Sequence, residues 1–214
     1  FFTYVFAHLW IDFRHLGKDN HSDPEFQIDW WENSVSAARA NWQFVEDHQD
    51  HVCGDGDEHY VTYAPPVGGL TAADGITEYH AFGTRPSGGE PVHDGTVAPY
   101  GAGMAIMFLE EKALPALKHY FTNTDLWRYR VGFGDAYNLE APDCGPPWYN
   151  HATFGIDQGP MLIAIENHRT NLIWETMAKN EHMGNALSKI FPNAAPICTP
   201  IPPTATGTPT DLSL

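Results

Sequence analysis

Four acidic residues lie beside aromatic, glycine or apolar neighbours, in places where a solvated carboxylate would not need them. They are Asp29 and Glu32 in the string IDWWENS, Asp157 in GIDQGP and Glu166 in IAIENHR. Glycoside hydrolysis uses such carboxyl groups in pairs: one protonated group donates to the leaving oxygen, and one ionised group activates water or attacks the sugar. Aromatic walls and neighbouring carboxylates raise the pKa of the acid towards neutrality. We therefore predict sugar chemistry, with the catalytic acid and base drawn from these four residues.

Each of the four also has a structural explanation that the sequence leaves open. Asp29 could be the N-cap of a helix and Glu32 the N3 residue of its capping box. Asp157 could cap the helix that the residues after it predict. Glu166 could form a structural ion pair with Arg169 at i+3. For Glu32, the structural role predicts no loss of activity on its removal, beyond a small cost in stability.

Helices are expected to position these residues, because apolar side chains recur with helical spacing along several segments. From Trp30 to about His48 they recur at intervals of three or four. Similar patterns predict helices from Glu110 to Thr122, from Pro160 to about Asn180 and from Met183 to Phe191. Long Gly- and Pro-rich segments join them, and no convincing stretch alternates with period two. We predict an all-α fold.

The net charge argues against a nucleic acid partner, and the lengths of the apolar stretches argue against membrane insertion. The formal net charge is −16, from 27 Asp and Glu against 11 Lys and Arg in 214 residues. Such a surface repels phosphate backbones, so we predict no nucleic acid partner. No apolar stretch reaches the roughly 18 to 20 residues that cross a bilayer, so we predict no membrane insertion. The chain starts with Phe1 inside what reads as an ordered element, and we expect a piece of a longer, monomeric protein.

The cysteines and the acidic loop residues give no clear metal signal. Cys53, Cys144 and Cys198 form no CxxC pair, so neither a zinc site nor a disulfide framework is indicated. Cys53 and Cys144 both lie in loop-like segments and could pair in an oxidising compartment. An acidic, His-rich run from Asp47 to His59 could attract a cation, but it lacks the EF-hand and HExxH spacings. We predict no metal and no cofactor.

Seven strings, in order, resemble the glycoamylase-like domain family, which is related to bacterial endo-β-1,2-glucanases and to the central region of cyclic β-1,2-glucan synthases. The resemblance covers residues 4 to about 191. The strings are His8–Arg14 (HLWIDFR), Ile28–Ser34 (IDWWENS), Gly69–Gly75 (GLTAADG), Asp94–Tyr100 (DGTVAPY), Leu114–Leu117 (LPAL), Gly132–Asn138 (GFGDAYN) and Gly155–Thr170, which contains GIDQGP and IENHRT. The chain departs from the family at Ala73, where Cys or Ser is usual, and after Asp74, where Gly-Pro is usual.

The resemblance implies an all-α fold that is the C-terminal part of an (α/α)6 toroid, with long Gly/Pro-rich loops and a central cavity for substrate. We expect one such domain over residues 1–191, and the Pro/Thr-rich composition of residues 192–214 predicts a linker or tail there. The implied activity is hydrolysis, or transglycosylation, of β-glucan linkages, with β-1,2-glucan favoured. The alternative is a non-catalytic, glycan-binding helical domain. The tail and the scarcity of lysine lead us to expect a secreted or periplasmic bacterial protein.

The resemblance also extends the expected sugar site beyond the four acids. Loop aspartates that adjoin glycine are expected to contact sugar hydroxyls, although such residues also simply form turns. Aromatic residues near the matching strings could stack on sugar rings, or pack in the core. The complete predicted substrate-binding set is Asp12, Arg14, Asp74, Tyr79, Asp94, Tyr100, Trp127, Asp135, Tyr137, Trp148, Gln158, His168 and Arg169.

Overall fold

The computed structural model describes residues 1–49, 59–83, 91–140 and 144–194. Helices dominate these ranges, and short antiparallel hairpins lie between them. The α-helices are α1 (Phe2–Val5), α2 (Trp30–Asp47), α3 (Pro99–Ala105), α4 (Glu110–Asn123), α5 (Gly155–Thr170), α6 (Leu172–Ala178) and α7 (Glu181–Ile190). Single 3₁₀ turns lie at Phe6–Leu9, Phe13–His15, Pro24–Phe26 and Val61–Tyr63. The paired strands are β1 (Ala72–Asp74) with β2 (Tyr79–Ala81), β3 (Trp127–Arg128) with β4 (Gly132–Phe133), and β5 (Ala136–Asn138) with β6 (Trp148–Asn150).

The helical part of the all-α prediction is confirmed, but the three hairpins are a correction to it. Each of their strands is only two or three residues long. Alternation over so few residues leaves no detectable period-two pattern, so the sequence predicts these segments as loops. The hairpins matter for the site, because β1 ends at Asp74 and Asp135 lies between β4 and β5.

Helix α2 agrees with the predicted boundaries to within one residue. It begins after Asp29, whose carboxylate accepts the backbone N–H groups of Trp31 and Glu32, each at 3.1 Å. These are two of the N–H groups that have no partner inside a helix, so Asp29 is an N-cap. The buried face of α2 carries Ser34, Val35, Ala38, Asn41, Trp42 and Val45.

One polar residue on that buried face, Asn41, holds the segment that leads into β1. Its Oδ1 accepts the N–H groups of Gly69 at 3.1 Å and Leu70 at 2.8 Å, and its Nδ2 donates to the Leu70 carbonyl at 2.8 Å. Backbone groups buried in a loop need such partners, because an unpaired one costs free energy. The amide of Asn41 therefore fixes the approach to Asp74.

Helix α3 lies at the centre of the core, and all of its residues are buried. It packs against α4 and α5. Small residues permit this close approach: a Cβ at Gly101 would overlap the Gly69 carbonyl, and one at Gly103 would overlap the Met161 side chain. As a result, α3 brings the Tyr100 hydroxyl beside β1.

Helix α5 begins earlier and ends sooner than the sequence predicts. It starts at Gly155, so Pro160 lies inside it and removes one N–H from its ladder. Pro160 and Met161 are both buried, and Met161 packs against Gly103 of α3. The helix ends at Thr170, and its C-cap residue Asn171 has a φ of 59°, in the left-handed region that asparagine tolerates. A separate helix, α6, then starts at Leu172.

Arg14 ties the N-terminal segment to the junction of α5 and α6. Its guanidinium donates twice to the Asp12 carboxylate, at 2.8 and 2.7 Å, and once to Asn171 Oδ1 at 3.0 Å. The same group lies over the Trp174 ring, 4.4 Å from its centroid. A planar guanidinium suits this combination of a bidentate pair and a stacked ring.

A small second core cluster closes this end of the fold. It consists of Phe13, Leu16, Leu187 and Phe191, and so joins the N-terminal segment to α7. Within the described ranges, no helix combines the length and the apolar character that crossing a bilayer requires.

Candidate active site

Three aspartates from distant parts of the chain meet at one point. Asp74 ends β1, Asp135 lies between β4 and β5, and Asp157 lies in the first turn of α5. The Asp74 N–H donates to Asp135 Oδ2 at 2.9 Å. The carboxyl groups of Asp135 and Asp157 are hydrogen-bonded to each other. We call these three residues the aspartate cluster.

Backbone pairing holds the aspartate cluster in place. Asp135 donates its N–H to the Ala152 carbonyl at 2.9 Å, just before β5 begins. Asp74 is paired in register with Tyr79 across the β1–β2 hairpin. Asp157 is fixed by the helical backbone of α5. Short hairpins and a helix start thus bring together side chains that the sequence separates widely.

The electrostatics of the cluster favour a proton on Asp157. Burial, the charge of Asp135, a hydrogen bond to Asp135 and the charge of Asp74 raise the pKa of Asp157 to about 7, while a hydrogen bond from Tyr100 opposes this shift. Burial also raises the pKa of Asp135, which is only 2% exposed. The Oδ1 atom of Asp135 is buried, and among the described residues no backbone N–H or other group that always carries a proton donates to it. Asp157 is therefore about half protonated at pH 7 and largely protonated below it, as expected for adjacent carboxyl groups that resist double ionisation.

Tyr100 connects the cluster to the core. The Thr71 hydroxyl donates to the Tyr100 hydroxyl at 3.1 Å, and the Tyr100 hydroxyl donates to the Ala72 carbonyl. The same hydroxyl is also within hydrogen-bonding reach of Asp157, so the Ala72 carbonyl and the Asp157 carboxyl compete for its single proton. Burial raises the pKa of Tyr100, so it remains a protonated donor.

Tyr79 lies on the solvent side of the cluster. It is 64% exposed, yet burial of its hydroxyl and the charges of Asp157, Asp135 and Asp74 raise its pKa. Its phenol is therefore exposed to the charge of all three carboxylates. An exposed aromatic residue with a polar tip beside buried acids is suited to contact a polyol.

Two amide side chains surround the cluster. Asn150 on β6 donates from Nδ2 to Asp74 Oδ2 at 2.9 Å. Gln158, next to Asp157, donates to the Phe133 carbonyl at 3.2 Å. Gln158 is among the residues predicted from the sequence, whereas Asn150 is not. The place of Asn150 depends on the pairing of β6 with β5, and the string PWYNH carries no signal of that pairing.

The structure does not bring Asp29 or Glu32 into the aspartate cluster. Asp29 is occupied as the N-cap of α2, and Glu32 is exposed in the first turn of the same helix. The reciprocal bond of a capping box, from the Asp29 N–H to Glu32, is absent from the described contacts. The proposed roles of both residues as acid and base stay predictions.

A groove of about 640 Å³ opens beside the first turn of α2. It is lined by the N-terminal segment, by α2 and by α7, with Trp30, Asn33 and Phe191 among its walls. The aspartate cluster does not contribute to this lining. The groove and the cluster are therefore separate features of the described surface.

Glu166 and its neighbours form contacts near the C-terminal half of α5. Glu166 accepts the Thr170 hydroxyl at 2.7 Å and lies 3.7 Å from Arg169. The structural ion pair raised as an alternative is thus present. His168 lies 3.5 Å from Glu110 and links α5 to α4. None of these described contacts reaches the aspartate cluster.

Three other predicted contact residues are engaged elsewhere. Asp12 and Arg14 form the bidentate ion pair that lies at the junction of α5 and α6. Asp94 accepts the Thr96 N–H at 2.9 Å, as a turn residue does. The structure accounts for these three by folding contacts, and their sugar contacts stay predictions.

The predicted aromatic residues differ widely in exposure. Trp127 is 43% exposed, and its ring centroid lies 5.1 Å from that of Phe133. Tyr137 is fully buried and stacks on Tyr149, with 5.9 Å between centroids. Trp148 is half-buried on β6. Of these, Trp127 alone has the exposure that stacking on a sugar ring needs.

No group of three or more His, Cys, Asp or Glu in the described ranges is arranged to hold a metal ion. Much of the acidic run from Asp47 to His59 lies outside those ranges. Cys144 takes part in a disulfide bond. Cys53 and Cys198 are outside the described residues, so the pairing of Cys53 with Cys144 stays a prediction.

Comparisons with known proteins show which family the chain resembles. The Glycoamylase family model, described as "Putative glucoamylase", matches residues 1–181. A curated relative, the exo β-1,2-glucooligosaccharide sophorohydrolase (non-reducing end) of Parabacteroides distasonis, is 29% identical over 184 residues. That match covers 85% of this chain and 23% of the relative.

Two solved structures of glucanases also align with this chain. A β-1,2-glucanase from Parabacteroides distasonis aligns with a TM-score of 0.70 at 27% identity, over 89% of this chain and 24% of the other. The endo-β-1,2-glucanase from Chitinophaga pinensis, in complex with sophorotriose and glucose, aligns with a TM-score of 0.69 at 24% identity, over 88% and 40% of the two chains. At that identity it supports the fold alone. The chain thus spans less than half the length of these relatives, and its matched region shows that it belongs to the Glycoamylase family.

Proposed function

We propose that this chain contributes the catalytic centre of a glycoside hydrolase that acts on β-glucan, with β-1,2-glucan as the substrate. The observation that carries the proposal is the Asp135–Asp157 pair, in which burial and like charge raise the pKa of Asp157 to about 7. Glycosidic bond cleavage requires a carboxyl group that still carries a proton in a large fraction of molecules near neutral pH. The names of the Parabacteroides relatives support β-1,2-glucan as the linkage.

In the proposed reaction, Asp157 acts as the general acid. Its proton passes to the glycosidic oxygen as the bond between that oxygen and the anomeric carbon breaks. An ionised carboxylate takes a proton from water as the water oxygen bonds to the anomeric carbon, so that both new hydroxyl groups are accounted for. Asp74, which accepts the Asn150 amide and is the cluster member not hydrogen-bonded to Asp157 through its side chain, is proposed as this base. Proton transfer by a positioned acid typically contributes about 10²–10⁴ in rate.

Other residues enter the proposal as alternatives or as binding groups. Glu32, exposed at the first turn of α2, is the second candidate for the base. Tyr79 and Trp127 are proposed to contact the sugar, because both are exposed aromatics. The same chemistry with a sugar hydroxyl in place of water would make the enzyme a transglycosylase.

The fold of the whole protein, its domains, its oligomeric state and its location are also proposals. The chain is proposed to form part of an (α/α)6 toroid, with one domain over residues 1–191 and a linker or tail over 192–214. The solved relatives it matches are more than twice as long, which supports a larger unit. A monomeric protein in a secreted or periplasmic location is proposed, and the disulfide at Cys144 supports an oxidising compartment.

The test is release of reducing ends from linear β-1,2-glucan by the purified full-length protein. Asp157→Asn keeps the shape of the side chain and removes its acid, so the rate is expected to fall by about 10²-fold or more. Glu32→Gln and Glu166→Gln examine the other predicted acids under the same conditions. Asp47→Asn is the matched control, since Asp47 is an exposed carboxylate that accepts the Gln43 amide at the far end of α2.

Two results would contradict the proposal. Wild-type rates in Asp157→Asn would remove Asp157 from the chemistry. Binding of β-1,2-glucan by the wild type, without any product, would indicate a non-catalytic glycan-binding domain.

A further inference from the structure

A hairpin with exposed apolar side chains adjoins the aspartate cluster. Strands β3 and β4 form it, and residues 129–131 make the turn between them. Trp127 on β3 is 43% exposed, and Tyr129 in the turn is more exposed still. Phe133, at the end of β4, precedes Asp135 by two residues. We call residues 127–133 the aromatic hairpin, which thus runs directly into the segment that carries Asp135.

Gln158 joins the aromatic hairpin to the helical turn that carries Asp157. Its Nε2 donates to the Phe133 carbonyl at 3.2 Å. Because a carbonyl can only accept, the NH₂ group of Gln158 must face it. The amide oxygen lies over Gly132, where a Cβ would come within 2.8 Å of it, and the φ of 103° at Gly132 also favours glycine. Glycine thus allows the Gln158 side chain to lie on the hairpin backbone.

The aromatic hairpin needs such contacts, because an isolated two-stranded hairpin is at best marginally stable. The Gly134 N–H donates to the Leu126 carbonyl at 2.7 Å. The Trp127 ring makes edge-to-face contacts with Phe121 and Phe133, at 5.0 and 5.1 Å between centroids. The indole is therefore held between two rings and still exposes much of its surface. A ring that is already ordered loses little side-chain entropy when it binds a ligand.

We propose that Trp127 forms a glucose-binding subsite next to the proposed cleavage point, and that Gln158 is the positioning residue that sets its place relative to Asp157. The inference rests on the proposed function and deepens it, because it makes activity depend on the length of the glucan chain. Two successive contacts, from Gln158 to Phe133 and from Phe133 to Trp127, separate the indole from the turn of the acid. The indole therefore contacts a glucosyl unit beyond the two that share the cleaved bond.

The first test measures kcat/KM with linear β-1,2-glucan oligosaccharides of increasing length. Wild-type kcat/KM should rise up to the length that reaches the indole, because a remote sugar unit then adds binding energy. In Trp127→Ala most of this rise should be lost, with a drop of about tenfold or more for long chains. Trp127→Phe keeps a ring in the hairpin and should keep part of the rise. The wild-type rise in both variants would overturn the proposal.

Gln158→Met tests the positioning role without adding a charge beside Asp157. Methionine has the same chain length as glutamine but lacks the amide donor. The loss should grow with glucan length and should appear more in KM than in kcat. An equal loss of kcat at every chain length would mean that Gln158 merely supports the helix, and would overturn this role. Phe26→Ala is the control, since Phe26 is an exposed aromatic whose described contacts do not reach the hairpin, and its length dependence should match the wild type.

Nitrogen-15 NMR of the indole N–H groups separates failure of this inference from failure of the proposed function. Trp127→Phe assigns the Trp127 signal. Linear β-1,2-glucan should shift that signal in the wild type, and Gln158→Met should need a higher glucan concentration for the same shift. A shift without hydrolysis would reject the proposed function and support Trp127 as a sugar contact. Hydrolysis without any shift of the Trp127 signal would overturn the subsite.

Discussion

Asp135 and Asp157 face each other where a hairpin meets the start of a helix, and a hydrogen bond joins their carboxyl groups. Both are buried, at 2% and 7% exposure. Two carboxylates in this setting resist double ionisation, so the pair titrates as a unit with a retained proton. This pair, and the elements that hold it, should therefore determine how the protein responds to pH and to substitution.

Tyr100→Phe should raise the pKa of Asp157 further above 7, because the lost hydroxyl is the hydrogen-bond donor that opposes the shift. The alkaline limb of the activity profile should then move to higher pH. The variant should also lose about 1–3 kcal/mol of stability, since Thr71 and Ala72 lose a buried partner.

Tyr120→Phe is the matched control for that change. Its hydroxyl is equally buried, donates to the Gly68 carbonyl at 2.8 Å and accepts the Gly68 N–H at 3.2 Å. A similar loss of stability is expected, without movement of the alkaline limb. Equal movement in both variants would mean that the Tyr100 hydroxyl has no specific effect on Asp157.

The stability of the wild type should fall as pH rises from about 4 to about 7. In this window the folded protein keeps the Asp157 proton, because its pKa is about 7, whereas the unfolded chain has lost it near an ordinary value of about 3.9. The folded state therefore binds more protons, and stability decreases with pH. Asp157→Asn should lack this contribution to the pH dependence of stability.

Thermal unfolding of both proteins at pH 4.5 and pH 8 measures the difference. The Tm of the wild type, relative to that of Asp157→Asn, should be lower at pH 8, by roughly 2–4 °C for each kcal/mol of linked free energy. Parallel Tm values across this range would show that Asp157 has no raised pKa.

Asp29→Ala and Glu32→Gln should separate a structural role from a chemical one at the start of α2. Asp29→Ala should cost about 1 kcal/mol, because two backbone N–H groups lose their cap. Glu32→Gln should cost less than about 0.5 kcal/mol, since Glu32 is exposed. Loss of activity in Glu32→Gln with unchanged stability would assign Glu32 to the chemistry; unchanged activity would leave Asp74 as the base.

Asn41→Ala should be among the most damaging changes away from the cluster. It leaves the buried N–H groups of Gly69 and Leu70 without their acceptor, at about 1–3 kcal/mol each. Gln43→Ala, on the exposed face of the same helix, should change the free energy of unfolding by less than about 0.5 kcal/mol. Urea unfolding of the two variants provides the comparison, and similar midpoints would contradict the anchoring role of Asn41.

Sequence reasoning identifies much of the cluster but not its arrangement. The strings GLTAADG, GFGDAYN and GIDQGP point to Asp74, Asp135 and Asp157, and helical periodicity predicts α2 to within one residue. The convergence of the three aspartates depends on strands of two or three residues, which leave no periodic pattern.

The boundaries of α5 illustrate a second limit. Proline usually opens a helix, so Pro160 suggests the start, while the packing of α5 on α3 allows the helix to begin at Gly155. That difference places Asp157 inside the first turn. Asn150 was missed for a related reason, because only the register of β5 and β6 directs its amide towards Asp74.

The most direct test of the central claim is the carboxyl titration of Asp157 by carbon-13 NMR, with Asp157→Asn to assign its signal. We predict an inflection near pH 7 for Asp157 in the wild type. Titration of Asp157 at about pH 4, as in an ordinary solvated aspartate, would contradict it.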